Sequence, residues 1–138
     1  MTEISNKQIN KVGDRIKSFS ENEKDLITLI NFRDTYFKSL FELSSLIKNE
    51  IKFENLSFLL TGRLKRKKSI IRKLRRIENK NMDLTRIADL GGLRIIVKDR
   101  KDQDIILNEI SKRFKVSKQF DYRDQNQNYK SIHIHIKH

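Results

Sequence analysis

Apolar positions change their spacing several times along this chain, and each change marks an element. From about Glu3 to Lys17 they recur weakly at helical intervals, enough for a short helix. A longer helical stripe follows: Leu26, Ile30, Phe37, Leu40, Phe41 and Leu43, running to about Lys48. Ser20 precedes it, with Glu23 at the offset of a capping box. Such a stripe reads first as packing surface. Ser57–Leu64 reads as a strand, its Phe58, Leu59 and Leu60 leading into Gly62, and Ser69–Glu78 as a helix. Leu93–Lys98 is a short apolar strand in which Ile95, Ile96 and Val97 suit a pleated backbone. Lys101–Arg113 is amphipathic, with Ile105, Ile106 and Ile110 expected inside. Phe114–Tyr122 is compatible with a strand. Ser131–Lys137 alternates strictly, placing Ile132, Ile134 and Ile136 on one face. The order helix, helix, strand, helix, strand, helix, strand, strand predicts an α/β or α+β domain with a mixed sheet. There is no proline, the only glycines are Gly13, Gly62, Gly91 and Gly92, and no repeat or low-complexity linker appears. The expectation is one domain over residues 1–138, with 1–20 as an N-terminal extension.

Composition narrows the class. Hydrophobic residues make up 36% and charged residues another 36%, against about a quarter charged in ordinary domains. No run reaches about 18 apolar residues, so no membrane-spanning helix is expected. The first residues, Thr2, Glu3, Ser5, Asn6 and Lys7, are polar and do not resemble a secretory signal. With no cysteine, disulfides and thiolate metal sites are excluded. A cytoplasmic protein is expected. The net charge is +13, and nine basic residues with no acidic one lie between Gly62 and Arg76. A positive field concentrated in this way points to a phosphate-bearing partner, either a nucleotide or a nucleic acid. A solvated basic helix face is the plainer alternative.

Three segments carry candidate chemistry. The first, Thr61-Gly-Arg-Leu-Lys-Arg-Lys-Lys-Ser69, joins a strand to a helix. Ligands commonly sit at the carboxyl ends of strands, and helix N-termini offer amides to phosphate oxygens. At about 100° per residue, Ser69, Lys73 and Arg76 share one helical face, while Ile70, Ile71, Leu74 and Ile77 take the other. A hydroxyl, an ammonium and a guanidinium in a row suit a polyphosphate. Arg63 and Lys65, two apart on extended chain, share a side. No Gly-x-x-x-x-Gly-Lys-Ser/Thr loop is present. An RNA-binding basic helix fits the same residues. The second segment begins at Asp89, at the mouth of a strand, with Arg94 five residues on. A carboxylate there can hold Mg²⁺, which prefers oxygen ligands, or simply form a surface ion pair. The third contains Asp121-Tyr122 and Asn128-Tyr-Lys-Ser-Ile-His133. Tyr129 can stack on a nucleobase or pack as a half-buried aromatic. His133 can donate to a phosphate. His133 and His135 share a strand face, but two histidines without a third ligand are weak support for a metal.

In this order and spacing the segments resemble the RelA/SpoT synthetase family. The stretches that carry the resemblance are Arg63-Leu-Lys65 with Ser69, Lys73 and Arg76; Met82–Ala88; Asp89-Leu-Gly-Gly-Leu-Arg94; and Asp121-Tyr122 with Tyr129-Lys-Ser-Ile-His133. The resemblance runs from about Leu26 to Lys137, loosely before Ser57. It implies an α+β, nucleotidyltransferase-like mixed sheet flanked by helices, with an N-terminal helical segment. It also implies an enzyme that transfers the β,γ-pyrophosphate of ATP to the 3′-hydroxyl of GDP or GTP, the alarmone synthesis of the stringent response. Carried over residue by residue, Arg63 and Arg94 sandwich adenine, and Lys65, Ser69, Lys73 and Arg76 hold the ATP phosphates. Asp89 is the catalytic residue and binds Mg²⁺, Tyr129 stacks on guanine, and His133 holds the acceptor's phosphates. The family's proton acceptor is a glutamate in a Glu-x-Gln motif on a later strand, and this sequence ends at His138 without one, so an incomplete domain with little or no turnover is expected. The family's Asn-Gly-Tyr appears as Asn128-Tyr129, and Phe120 stands where a lysine often precedes Asp-Tyr. These departures keep two alternatives open, a relative acting on the 3′ end of tRNA and a non-catalytic nucleotide- or RNA-binding module. The expected partners are ATP and GDP or GTP, with tRNA as the alternative acceptor, and no membrane. Oligomeric state is left open, a homo-oligomer included.

Overall fold

Helix starts and stops follow local capping chemistry. In the computed structural model, which describes residues 3–50, 56–125 and 130–137, α1 (Asn6–Lys17) is opened by a capping box. The Ser5 hydroxyl accepts from the Gln8 amide at 3.3 Å, and Gln8 Oε1 accepts from the Ser5 amide at 3.0 Å. It closes at Phe19, which takes a left-handed φ of 58°. There the amides of Phe19 and Ser20 return to the Ile16 and Arg15 carbonyls, a Schellman-type stop usually made by glycine. α2 (Glu23–Glu50) starts three residues after Ser20, the cap expected from sequence. Asn22 performs that role, because its Oδ1 accepts from the Asp25 amide at 2.8 Å and Asp25 Oδ2 accepts from the Asn22 amide at 3.2 Å. Ser20 is instead engaged with Ser18 and the Arg15 carbonyl at the end of α1. β1 (Leu59–Leu64) leads to α3 (Lys67–Leu74), and two 3₁₀ turns, Ile77–Asn79 and Leu84–Arg86, lead to β2 (Gly91–Ile96). α4 (Arg100–Arg113), β3 (Lys115–Asp121) and β4 (Ile132–Lys137) complete the order.

The class is α+β with a helical N-terminus. Among the described residues the strands form two two-stranded ribbons, β1 with β2 and β3 with β4, in place of one continuous mixed sheet. No described helix is long and apolar enough to cross a membrane. The chain divides into two compact units, residues 1–44 with 61–94, and 45–60 with 95–138.

The first unit is built on α1, α2, α3 and the second 3₁₀ turn. Ile9, Val12, Ile16, Leu29, Ile70, Leu74, Leu84, Ile87 and Leu90 form its core, with Phe32 and Tyr36 packed against it. The expected N-terminal extension therefore supplies a helix to this core. Gly13 lies inside α1 where a Cβ would sit 2.9 Å from Leu84 Cβ, so only glycine admits the turn this close. The buried side of α2 runs through Leu29, Phe32, Tyr36 and Leu40. Phe37 and Phe41 of the expected stripe face solvent, 64% and 66% exposed. The packed stripe is thus rotated from the one read from sequence, because Tyr36 and Leu40 must meet β2 at Gly91. A Cβ on Gly91 would lie 3.0 Å from Leu40 Cδ1 and 3.4 Å from Tyr36 Cβ. Arg15 pairs with buried Asp25 through two 2.8 Å hydrogen bonds, and this pairing holds the Asp25 carboxyl below its ordinary range.

In the second unit, Asp99 caps α4 by accepting from the Asp102 amide at 2.9 Å. Ile106 and Ile110 are buried, and Ile105 is exposed rather than inside. β3 and β4 pair antiparallel, from Lys115 opposite Lys137 to Asp121 opposite Ile132, with an irregularity between Val116 and Lys118. Arg123 is 6% exposed. Its guanidinium donates to Asp121 and, at 2.7 Å, to Asp104, while its carbonyl accepts from Lys130 Nζ at 2.8 Å.

Candidate functional site

A strand end, a helix and a turn bring three charges together in the first unit. Lys65 follows β1, and its amide donates to the Leu90 carbonyl at 2.7 Å. Lys73 lies in the last turn of α3, and Asp89 sits in the turn before β2. Lys65 Nζ is 2.8 Å from Asp89 Oδ2 and Lys73 Nζ is 2.9 Å from Asp89 Oδ1. The Asp89 side chain is half exposed, the two lysines about a fifth. Partial burial alone would raise the Asp89 carboxyl. The hydrogen bonds and charges of the two lysines outweigh it, so the group lies below its ordinary value. Ser69 is half-buried on α3, one turn before Lys73.

The ribbon next to this cluster presents two guanidinium groups. Lys65 pairs with Leu90 and Gly62 lies against Leu93. Residue numbers that fall on one strand as they rise on the other define an antiparallel register. In that register Arg63 is opposite Gly92, and Arg94 is diagonal to it on the same face. Arg63, Gly92 and Arg94 are all exposed. A Cβ on Gly92 would meet nothing within 4 Å, so the surface between the two arginines is open.

Arg76 departs from the expected row. The helix expected over Ser69–Glu78 stops at Leu74, and Arg76 lies just before the following 3₁₀ turn without a side-chain capping bond. Arg75 explains the stop: its Nε donates to the Ile16 carbonyl at 2.9 Å, it pairs with Glu21, and it stacks 3.9 Å above the Phe19 ring. Asn79 Nδ2 also takes the Lys73 carbonyl at 2.8 Å. Ile77, expected on the packed side, is 89% exposed. Arg76 instead lines a shallow depression of about 570 Å³ with Lys68, Ile71, Arg72 and Arg75.

In the second unit, His133 lies on β4 opposite Phe120. Its ring meets the Tyr122 ring edge-on at 5.0 Å, Phe120 stacks on Tyr122 at 6.3 Å, and His135 meets Phe120 at 5.8 Å. These four rings share one ribbon face. The i,i+2 spacing of Phe120 with Tyr122 and of His133 with His135 was the available signal. Tyr129 lies outside the described residues. The Arg123–Asp104 pair joins residues nineteen positions apart. The Lys65–Asp89–Lys73 cluster joins partners 24 and 16 residues apart, and no local pattern announces such pairings.

Among the described residues no group of three His, Asp or Glu side chains is placed to hold a metal. Asp89 is a single carboxylate whose two oxygens are each paired with a lysine. One carboxylate suits Mg²⁺, which commonly takes one or two carboxylates and completes its shell with phosphate oxygens and water.

Comparison with known proteins identifies the family. The model of the family described as the region found in RelA/SpoT proteins matches residues 62–138, a span that includes the basic cluster, Asp89, both ribbon arginines and His133. Among solved structures, the chain is similar to the crystal structure of the small alarmone synthetase 1 from Bacillus subtilis bound to its product pppGpp. Identity is 25% and the TM-score 0.53, over 83% of this chain and 60% of that one. The chain thus spans 60% of the length of that synthetase chain. No curated protein sequence matches.

Proposed function

The chain belongs to the RelA/SpoT family, and from that premise we propose that it carries the ATP-binding part of an alarmone synthetase that moves pyrophosphate from ATP to the 3′-hydroxyl of GDP or GTP. The observation that carries this reading is the convergence of Lys65, Lys73 and Asp89 beside the open face between Arg63 and Arg94. A purine lying over Gly92 is stacked by two guanidinium planes. Its triphosphate then extends toward Lys65, Ser69 and Lys73, with Arg76 at the flank. Mg²⁺ held by Asp89 supplies neutralisation of the phosphate charge.

In this reaction the 3′-oxygen attacks the β-phosphorus. The new bond is O3′–Pβ, the bond to the α,β-bridging oxygen breaks, AMP leaves, and the proton of the 3′-hydroxyl passes to a general base or to water. What these residues contribute is position and charge. The donor is fixed by its base at one end and its phosphates at the other, and cations face the oxygens on which charge grows. His133 and Tyr129 serve the acceptor.

The test incubates the complete gene product with [γ-³²P]ATP, Mg²⁺ and GDP or GTP. Labelled guanosine tetra- or pentaphosphate is the expected result, and its absence at every acceptor concentration overturns the assignment. Phe120, 43% exposed where the family often has lysine, favours a second reading in which the acceptor is the 3′ end of tRNA. Label on tRNA and not on GDP or GTP decides for it.

A further inference from the structure

Asp89 does not present an open carboxylate. Each of its oxygens accepts from an ammonium group, Oδ2 from Lys65 at 2.8 Å and Oδ1 from Lys73 at 2.9 Å. A divalent cation approaching this carboxylate meets two positive charges already in place. A triphosphate approaching the lysines meets donors turned toward an anion. The residues that favour the two halves of a metal–nucleotide complex are therefore paired with each other. We infer that Lys65, Asp89 and Lys73 form a charge-exchange latch that couples metal binding to nucleotide binding. The inference rests on the reading of this site as an ATP site.

The chemistry favours an exchange over a permanent lock. Lysine is a point charge on a flexible stem, able to swing between neighbouring anions. A triphosphate offers several anionic oxygens against the two of Asp89, so it draws both ammonium groups. The released carboxylate then takes the cation that the phosphates bring. The half-exposed setting of Asp89 keeps the latch weak, since each such ion pair is worth at most about fivefold in an equilibrium constant. The coupling is reciprocal, so metal and nucleotide each bind poorly alone and well together.

Calorimetric titration of the full chain with α,β-methylene ATP, whose scissile bond is inert, tests this without turnover. In the parent chain Mg²⁺ strengthens binding relative to EDTA. Asp89→Asn in EDTA binds roughly tenfold tighter than the parent, from two released pairs, and gains nothing from Mg²⁺. Removing a repelling carboxylate would by itself tighten binding, so lysine variants distinguish the causes. In EDTA, Lys73→Met weakens binding by no more than about twofold in the parent and by about fivefold in the Asp89→Asn background. Lys65→Met repeats the comparison, with circular dichroism confirming each fold. Equal losses in the two backgrounds overturn the latch and leave the ATP reading standing. No binding to either protein under either condition overturns the ATP reading and the latch with it.

Discussion

Asp89 and Gly92 separate function from folding at single positions. Asp89 is half exposed and lies outside the hydrophobic core, so Asp89→Asn is expected to shift stability by less than about 1 kcal/mol. Pyrophosphate transfer by the complete gene product is expected to fall at least about a hundredfold. Thermal unfolding beside a transfer assay checks both, and a retained rate removes Asp89 from the metal role. Gly92 has open space above it and exposed arginines opposite and diagonal. Valine there suits a strand, so Gly92→Val is expected to keep the melting temperature while raising the KM for ATP by about tenfold, a loss near 1.4 kcal/mol. An unchanged KM would place adenine elsewhere. The candidate residues themselves were legible in sequence because a hydroxyl, a carboxylate and a guanidinium keep their chemistry wherever they lie. The pairing of Asp89 with two lysines was not, since it joins residues 16 and 24 positions apart.

Elements show where local pattern succeeds and where packing overrides it. The helix containing Ser69 and the strand containing Arg94 were legible from periodicity. The end of α3 was not, because Arg75 is recruited by Ile16, Glu21 and Phe19 of another segment. Gly13→Ala tests a second override. Alanine in a helix interior gains up to about 1 kcal/mol over glycine, but overpacking costs about 1–3 kcal/mol. The neighbour at 2.9 Å is Leu84 Cβ, which no rotamer change can move aside. A net loss of stability is expected by thermal or urea unfolding. At the end of β3, the Arg123 side chain and amide lower the Asp121 carboxyl from 3.8 to about 2. A carboxyl lowered on folding contributes stability above its unfolded value, and that contribution disappears as pH falls toward the folded one. The parent is therefore expected to lose stability between about pH 4 and pH 2 more steeply than Arg123→Gln, as acid titration followed by circular dichroism would show.

At the scale of the whole molecule, ligand binding is expected to report itself as stability. A nucleotide at about a hundred times its dissociation constant adds about 2.7 kcal/mol. For a chain of this size that is a rise in melting temperature of roughly 5–10 °C. ATP with Mg²⁺ should produce it and adenosine should not, and equal shifts would show that the phosphates contribute nothing. The sequence by itself determined the α+β class, the concentration of positive charge between Gly62 and Arg76, and the family, because periodicity, charge and motif order are properties of the chain read in line. Tertiary structure decided which stripe of α2 is buried, that the N-terminal helix belongs to a core, that Arg76 leaves the row of Ser69 and Lys73, and that Asp89 is held by two lysines. Each of these depends on which distant segment arrives at a given surface. Volume at Gly13 and Gly91, and charge at Arg75 and Asp89, settle that only once the chain has folded.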